Sequence, residues 1–91
     1  MTAKRFIISG RVQGVGFRWF AARLGTALGI RGTVRNLSDG RVEVVAAGPA
    51  HVLDQFGREL AKGPPGARVD GMETVHVEDE VAPTQGFEVV R

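Results

Sequence analysis

The chain has 91 residues, a length that favours one folded domain and excludes two. Hydrophobic residues make up 43 % and charged residues 24 %, as in a globular protein, and the absence of cysteine excludes disulfides, thiolate metal sites and cysteine nucleophiles. The net charge of +2 comes with arginines spread along the whole chain, which is not the concentrated basic patch of a nucleic-acid-binding protein.

The first third of the chain predicts a strand, a tight loop and a helix. Apolar and polar residues alternate over residues 5–13, which is the pattern of a half-buried strand. Two glycines in residues 14–18 permit a tight turn, and a helix over residues 19–28 follows, ended by Gly29. The apolar stripe that we expect to face the core consists of Phe20, Leu24, Ala27 and Leu28.

The middle of the chain predicts a hairpin and a second helix. Strands over residues 30–36 and 41–47 flank Asp39 and Gly40, and an Asp-Gly pair between alternating runs indicates antiparallel neighbours. Apolar residues at helical spacing then predict a helix over Ala50–Lys62, which the Gly-Pro-Pro-Gly of residues 63–66 ends.

The last third predicts two more strands. Val69, Val75 and Val77 indicate a fourth strand with a bulge at Asp70-Gly71, and Phe87–Val90 is predicted to be a short edge strand. Polar residues 78–85 are expected to lack regular structure. The order of elements predicts an α+β fold, a ferredoxin-like βαββαβ sandwich with a mainly antiparallel four- to five-stranded sheet and two helices on one face.

The glycine loop after the first strand is the candidate site. Glycine-rich segments can turn successive backbone N–H groups toward one point, and a helix N-terminus adds partial positive charge there. Arg18 can add a planar fork of donors that matches phosphate. A lone Gly-x-Gly pair is more often a purely geometric turn, so the loop by itself favours that interpretation and more evidence is needed for an anion site.

The surrounding sequence carries a more specific signal. The string Gly-Arg-Val-Gln-Gly-Val-Gly-Phe-Arg of residues 10–18 is followed by residues 32–36 and 39–43 at matching distances, and together these segments resemble the acylphosphatase family over essentially the whole chain. The resemblance implies a single acylphosphatase-like domain over residues 1–91. It also implies hydrolysis of acyl phosphates to a carboxylate and inorganic phosphate.

The resemblance further implies the site residues. Arg18 would bind the phosphate, and Asn36 would position the attacking water. Asn36 lies two and four residues after Val34 and Gly32 on the predicted strand, so the three residues share a face. That face is expected to be the one covered by the helices. The backbone of the loop would cradle the phosphate, through Gln13, Gly14, Val15, Gly16 and Phe17.

Other notable residues are given structural roles. Thr33 stands where many acylphosphatases carry an aromatic residue, which would affect strand packing or substrate fit. Trp19, the single tryptophan, is able to contact an acyl group, but packing is favoured as its role. Asp39 is expected to be a turn residue only, and His51 and His76 to be surface or edge histidines.

Hydrolysis of acyl phosphates requires little acid–base catalysis from the protein. Their hydrolysis expels a stable carboxylate without a general acid, and the loose transition state needs little prior deprotonation of water. We therefore expect no metal and no cofactor. The expected ligands are a small acyl phosphate and inorganic phosphate, with no nucleic acid and no membrane, and the expected protein is a cytoplasmic monomer.

The alternative is a non-catalytic anion- or RNA-binding module on the same fold. An outward strand face carries several arginines, namely Arg11, Arg31, Arg35 and Arg41. RNA-binding sheets also stack bases on exposed aromatic residues, and none has outward parity on the first three strands. A phosphate-sensing or accessory role is a further alternative. It is less favoured because such accessory domains occur inside larger proteins, whereas here the domain is expected to be the entire chain.

Overall fold

The computed structural model describes residues 2–78, 82–83 and 85–90. In chain order, the elements within these residues are β1 (Thr2–Arg11), α1 (Phe17–Ala27), β2 (Arg31–Asn36), β3 (Val42–Gly48), α2 (Ala50–Lys62), β4 (Arg68–Val77) and β5 (Phe87–Val90). The strands form one sheet in the order β4-β1-β3-β2-β5. All pairs are antiparallel except β2 with β5, so the predicted ferredoxin-like α+β fold is confirmed.

The main core lies between the helices and one face of the sheet. Phe6 of β1 meets Phe56 of α2 edge to face, with ring centroids 5.8 Å apart, and the ring of Phe56 lies 5.6 Å from that of Phe87 in β5. These aromatic contacts connect α2 to an interior strand and to an edge strand. Because Phe6 and Phe56 are almost fully buried, the contacts fix the height of α2 above the sheet.

Strand β1 differs from its predicted pattern. It starts at Thr2 and ends at Arg11, and Ile7 is buried although it lies on the face opposite Phe6 and Ile8. The prediction that β1 is buried on one face only is therefore wrong at Ile7. The reason is that β1 is paired on both sides, with β3 and with β4, and neighbouring strands cover the side chains of an interior strand.

Helix α1 begins two residues earlier than predicted and buries a different face. Its buried residues are Phe17, Ala21, Ala22 and Gly25, whereas Ala27 of the predicted stripe is exposed and the rest of that stripe is only partly buried. A Cβ atom at Gly25 would fall on the ring of Phe87. The helix approaches the sheet along its smallest residues, because these allow the closest contact.

The hairpin, the second helix and the bulge are confirmed. Gly40 has φ of 95° in the turn between β2 and β3, and α2 has the predicted bounds. Ser9 pairs with Gly71 while Gly10 pairs with Val69, which leaves Asp70 as the extra residue of a bulge in β4. The prediction for residues 78–85 falls in large part on residues outside the described ones.

Substitution of Gly32 in β2 tests how tightly the sheet and α1 are packed. A Cβ atom at Gly32 would fall on the carbonyl oxygen of Val45 and 2.8 Å from the ring of Phe87. We expect Gly32→Ala to lower the free energy of unfolding by about 2 kcal/mol, measured by urea denaturation. The matched control is Gly71→Ala, where a Cβ meets only the movable hydroxyl of Ser9. Equal stability of the two variants would contradict this account of the packing.

Candidate active site

The loop between β1 and α1 is built around two left-handed glycines. Gly14 has φ of 74° and Gly16 has φ of 80°, and Gly16 is also the N-cap of α1. Left-handed residues alternating with ordinary ones turn neighbouring N–H groups toward a common point, a concavity that attracts anions. In the described part of the chain, no atom beyond the glycine and its two neighbours in sequence lies within 4 Å of a Cβ built on Gly14 or Gly16. Their backbone conformation, and not lack of space, therefore requires glycine.

The start of α1 has no cap supplied by a side chain. Within the residues that the structure describes, no side-chain hydrogen bond caps this helix start, and its first turn contains no acidic residue. The N–H of Phe20 donates to the carbonyl oxygen of Gly16 at 3.0 Å, which begins the helical pattern and leaves the preceding amides outside it. These amides and the helix dipole favour an anion in front of the helix.

Phe17 holds this backbone in place. Its side chain is buried, 1 % exposed, and its ring packs edge to face on Phe20 at 5.7 Å. The buried side chain of Val12, on the other side of the loop, is also 1 % exposed. The bend is therefore anchored in the core at both ends, and its N–H groups are held in a fixed direction.

Gln13 ties the loop to the β2–β3 hairpin. Its Nε2 donates to the carbonyl oxygen of Leu37 at 2.8 Å and to that of Arg41 at 2.9 Å. The role predicted for Gln13 from the sequence is confined to its backbone and does not include this side-chain tether. The available signal was chemical, because a carboxamide nitrogen carries two donors and can bridge two carbonyl groups.

The sheet brings Asn36 to the same edge as the loop. Ile8 of β1 and Asn36 at the end of β2 are both in register with Val42 of β3. Because β1 and β2 are each antiparallel to β3, they run parallel to each other and their ends lie side by side. The predicted face of Asn36 is confirmed, since Gly32 and Val34 are buried.

Arg18 and Asn36 meet the loop around one small depression. Its volume is about 90 Å³, far below the roughly 300 Å³ of a pocket for a drug-sized ligand, and it suits a group as small as a phosphoryl. Of the sequence-predicted residues, five line it: Gly14, Gly16, Phe17, Arg18 and Asn36. Gln13 and Val15 do not, although they belong to the same bend.

Two polar groups at the depression are unpaired among the described residues. The Oδ1 atom of Asn36 is buried and has no hydrogen-bond donor there, a costly state for an acceptor unless a ligand or water supplies the donor. Arg18 has no carboxylate partner within the same ranges. The depression thus presents a free cation beside a free acceptor.

The other charged candidates have the structural roles expected of them. The Asp39 carboxylate accepts hydrogen bonds from the backbone N–H of Arg41 at 3.1 Å and from its Nε at 2.7 Å, and the backbone bond is the main reason that the pKa of Asp39 lies below its usual value. His51 and His76 are exposed.

Within residues 2–78, 82–83 and 85–90, no three His, Asp or Glu side chains are grouped as metal ligands would be. No helix in these ranges is long and apolar enough to span a membrane.

Trp19 does not pack in the core. Its side chain is 69 % exposed, and it lines the depression beside Arg18. The prediction of a packing role is therefore wrong. Trp19 is the third residue of α1, and this position faces outward once the helix turns its small residues to the sheet. Thr33, by contrast, lines a recess with Arg35 and Glu43 on the opposite face of the sheet, away from the depression.

The sheet order and the two helices define a ferredoxin-like α+β protein, and comparisons with known proteins show the family to which it belongs. The family model described as Acylphosphatase matches residues 4–89. An acylphosphatase of Alkalilimnicola ehrlichii is 48 % identical over 97 % of each chain, and one of Koribacter versatilis is 51 % identical over 89 % of this chain and 71 % of its own. The crystal structure of acylphosphatase from Bacillus subtilis matches with a TM-score of 0.94 and 35 % identity over the full length of both chains.

The chain therefore belongs to the acylphosphatase family, and it is an enzyme that hydrolyses acyl phosphates.

Replacing the N-cap glycine tests whether the bend itself matters. We expect Gly16→Ala to cost about 1 kcal/mol of stability because alanine disfavours a positive φ, and to reduce kcat/KM for acetyl phosphate because relief of the strain moves the N–H groups. Gly29→Ala is the matched control at the far end of α1, with φ of 73° and open space around its Cβ. It should lose similar stability but keep its activity, and equal activity losses would argue against a special role for the bend.

Replacing Gln13 tests the tether to the hairpin. We expect Gln13→Ala to lower the free energy of unfolding by about 1–2 kcal/mol, since two hydrogen bonds are lost. Gln13→Glu should be less stable still at neutral pH, because a carboxylate has no donor and would face two carbonyl oxygens. Urea denaturation measures both, and a Gln13→Glu variant as stable as the unmodified protein would contradict the tether.

Proposed function

We propose that the loop and Arg18 hold the phosphoryl group of the acyl phosphate while the side chain of Asn36 orients the attacking water. The observation that carries the proposal is that Arg18, Asn36 and the two loop glycines Gly14 and Gly16 line one depression of about 90 Å³. Hydrolysis needs a fixed phosphoryl group and a water in line with the bond that breaks, and these tasks require groups on two sides of one small space.

The loop amides supply neutralising dipoles. The equatorial oxygens of the phosphoryl group carry charge throughout a loose transition state. The amides around Gly14 and Gly16 are fixed by the folded loop before substrate arrives, so no reorganisation is needed during the reaction. In this proposal the backbone of Gln13, Val15 and Phe17 belongs to the same cradle, with Gln13 also holding the cradle against the hairpin.

Arg18 supplies the formal positive charge. Its guanidinium can donate two parallel hydrogen bonds to oxygens of one phosphoryl group. The absence of a carboxylate partner in the described part of the chain supports this role, because a paired arginine would first have to give up its partner. Arg41 nearby is paired with Asp39 and is the less suitable cation.

Asn36 supplies an oriented acceptor. The buried Oδ1 can accept a hydrogen bond from the attacking water and so aim a lone pair of that water at phosphorus. A carboxamide is too weak a base to remove the proton beforehand. In the loose transition state the proton can pass to a phosphoryl oxygen, while the carboxylate leaves as a stable anion. The protein then has to supply neither a general acid nor a strong base.

The RNA-binding alternative is not supported by the outer face of the sheet. Arg5 and Arg35 both pair with the carboxylate of Glu43, at 2.9 Å and 2.8 Å, and Arg31 donates to the carbonyl oxygen of Pro83 at 2.7 Å. These arginines are engaged in contacts within the protein, whereas a surface that binds nucleic acid needs its arginines to be available to phosphates. We therefore propose a small-molecule enzyme that acts as a monomer without nucleic acid, and a cytoplasmic location in keeping with the cysteine-free sequence.

Two substitutions test the roles of the side chains. We expect Arg18→Gln and Asn36→Ala each to lower kcat/KM for acetyl phosphate by at least about 100-fold, by analogy with the loss of an oxyanion donor. The matched controls are Arg58→Gln and Gln55→Ala, which change an exposed guanidinium and an exposed carboxamide on α2. Full activity of either site variant would remove that residue from the mechanism.

A chelator tests whether a metal takes part. We expect hydrolysis to continue unchanged in excess EDTA, because Arg18 and the loop amides take the charge-neutralising part that Mg²⁺ plays in other phosphoryl-transfer enzymes. Inorganic phosphate should inhibit competitively, since it fits the same depression. Activity that disappears in EDTA and returns with Mg²⁺ would contradict the metal-independent mechanism.

A further inference from the structure

A second, larger recess continues from the depression along α1. Its volume is about 500 Å³. One wall is the outer side of α1, with Trp19, Phe20 and Arg23, and the other is the turn after α2, with Pro64 and Pro65. We call this recess the α1 groove. Its size is that of a pocket for a small organic molecule.

The α1 groove opens directly from the depression. Gly16 and Trp19 line both, so no other element separates them. A ligand with a phosphoryl group in the depression would therefore extend past Gly16 and Trp19 into the groove. A different recess, against Phe87 and Val89, shares Trp19 with the depression but does not include Gly16, so it has less of its lining in common with the depression than the α1 groove has.

The walls of the α1 groove suit an apolar, flat group. Trp19 is the most exposed large hydrophobic side chain described, at 69 %, and Phe20, Leu24 and the two prolines add apolar surface. Leaving an indole in water is unfavourable, whereas covering it with a planar group gains hydrophobic and stacking energy. A ring or short carbon chain attached to the phosphoryl group through its acyl carbon is in position to do this.

Arg23 adds a positive charge one helical turn beyond Trp19. It lies four residues along α1, which puts the two side chains on the same side of the helix. Arg23 is exposed, and no carboxylate among the described residues pairs with it. Among the described residues, none that lines the depression or the groove is acidic. An anionic group on the ligand would meet no repulsion there and would gain a partner.

We infer that the α1 groove receives the acyl group of the substrate, that Trp19 covers its apolar part, and that Arg23 binds a carboxylate at its far end. The preferred substrates are then acyl phosphates whose acyl group has an apolar body and a second anionic group. This inference rests on the proposed function, since it needs the phosphoryl group in the depression. It goes further by assigning specificity to residues outside the phosphate site.

Three probes separate the contributions: acetyl phosphate, benzoyl phosphate and para-carboxybenzoyl phosphate. The rigid ring of para-carboxybenzoyl phosphate keeps its carboxylate away from its acyl carbon, so the carboxylate cannot attack that carbon. We expect kcat/KM to rise in that order. Trp19→Ala should reduce the preference for benzoyl over acetyl phosphate about 10-fold, as for the loss of an aromatic contact. Arg23→Gln should reduce the preference for para-carboxybenzoyl over benzoyl phosphate about 3- to 10-fold.

The matched control is Arg58→Gln, which removes an exposed guanidinium on α2 and should leave both preferences unchanged. Thermal unfolding of each variant checks that the fold is intact. Because the readouts are ratios between substrates for one variant, a general loss of activity does not alter them. Inhibition by benzoylphosphonate and para-carboxybenzoylphosphonate, which are not hydrolysed, gives the same ratios from binding alone.

The outcomes distinguish this inference from the proposed function. If Arg18→Gln abolishes hydrolysis but Arg23→Gln leaves the carboxylate preference as it was, the groove assignment is wrong and the proposed function stands. If the unmodified protein shows no preference for the carboxylated ring, the assignment of Arg23 also fails. Full hydrolysis of acetyl phosphate by Arg18→Gln and Asn36→Ala would overturn both proposals.

Discussion

The left-handed conformation of Gly14 and Gly16 is the constraint on which the site depends. Any residue with a Cβ would tend to move this bend toward an ordinary conformation, and the N–H groups would then point elsewhere. The bend is short, and its neighbours Val12 and Phe17 are both anchored in the core. The direction of the amides is therefore set by folding, and the stability of the core is what keeps them in place.

The sheet adds a second constraint by placing Asn36 opposite this bend. β3 lies between β1 and β2, and its antiparallel pairing with both brings their ends to the same edge. The hydrogen bonds of Gln13 to the hairpin then join the two ends across β3. Asn36 and the loop, 18 or more residues apart in the sequence, thus become parts of one rigid unit, and the proposed in-line attack would require such a unit.

The sequence predicts the features that depend on local pattern, and it does not predict those that depend on how closely elements approach. Parity alone placed Asn36 on the correct face, and the Asp-Gly pair and the apolar spacing of α2 gave the hairpin and the helix. The predicted face of α1 was wrong because Gly25 and the alanines are buried together with Phe17, whereas the larger residues of the predicted stripe are only partly buried. The exposure of Trp19 follows from that same rotation, and the tether of Gln13 requires knowing that a hairpin lies beside the loop.

The two faces of the sheet also differ in what their charges can do. On the outer face Glu43, a buried carboxylate, is held by Arg5 and Arg35, and removing any one of the three would leave charge poorly compensated. On the helix side, Arg18 and Arg23 line recesses in which none of the other described lining residues is acidic. Since a substrate carrying several negative charges is attracted by uncompensated cations, the small net charge of +2 understates the attraction at this edge. The arrangement of the ion pairs, more than their number, is what directs an anion toward the loop.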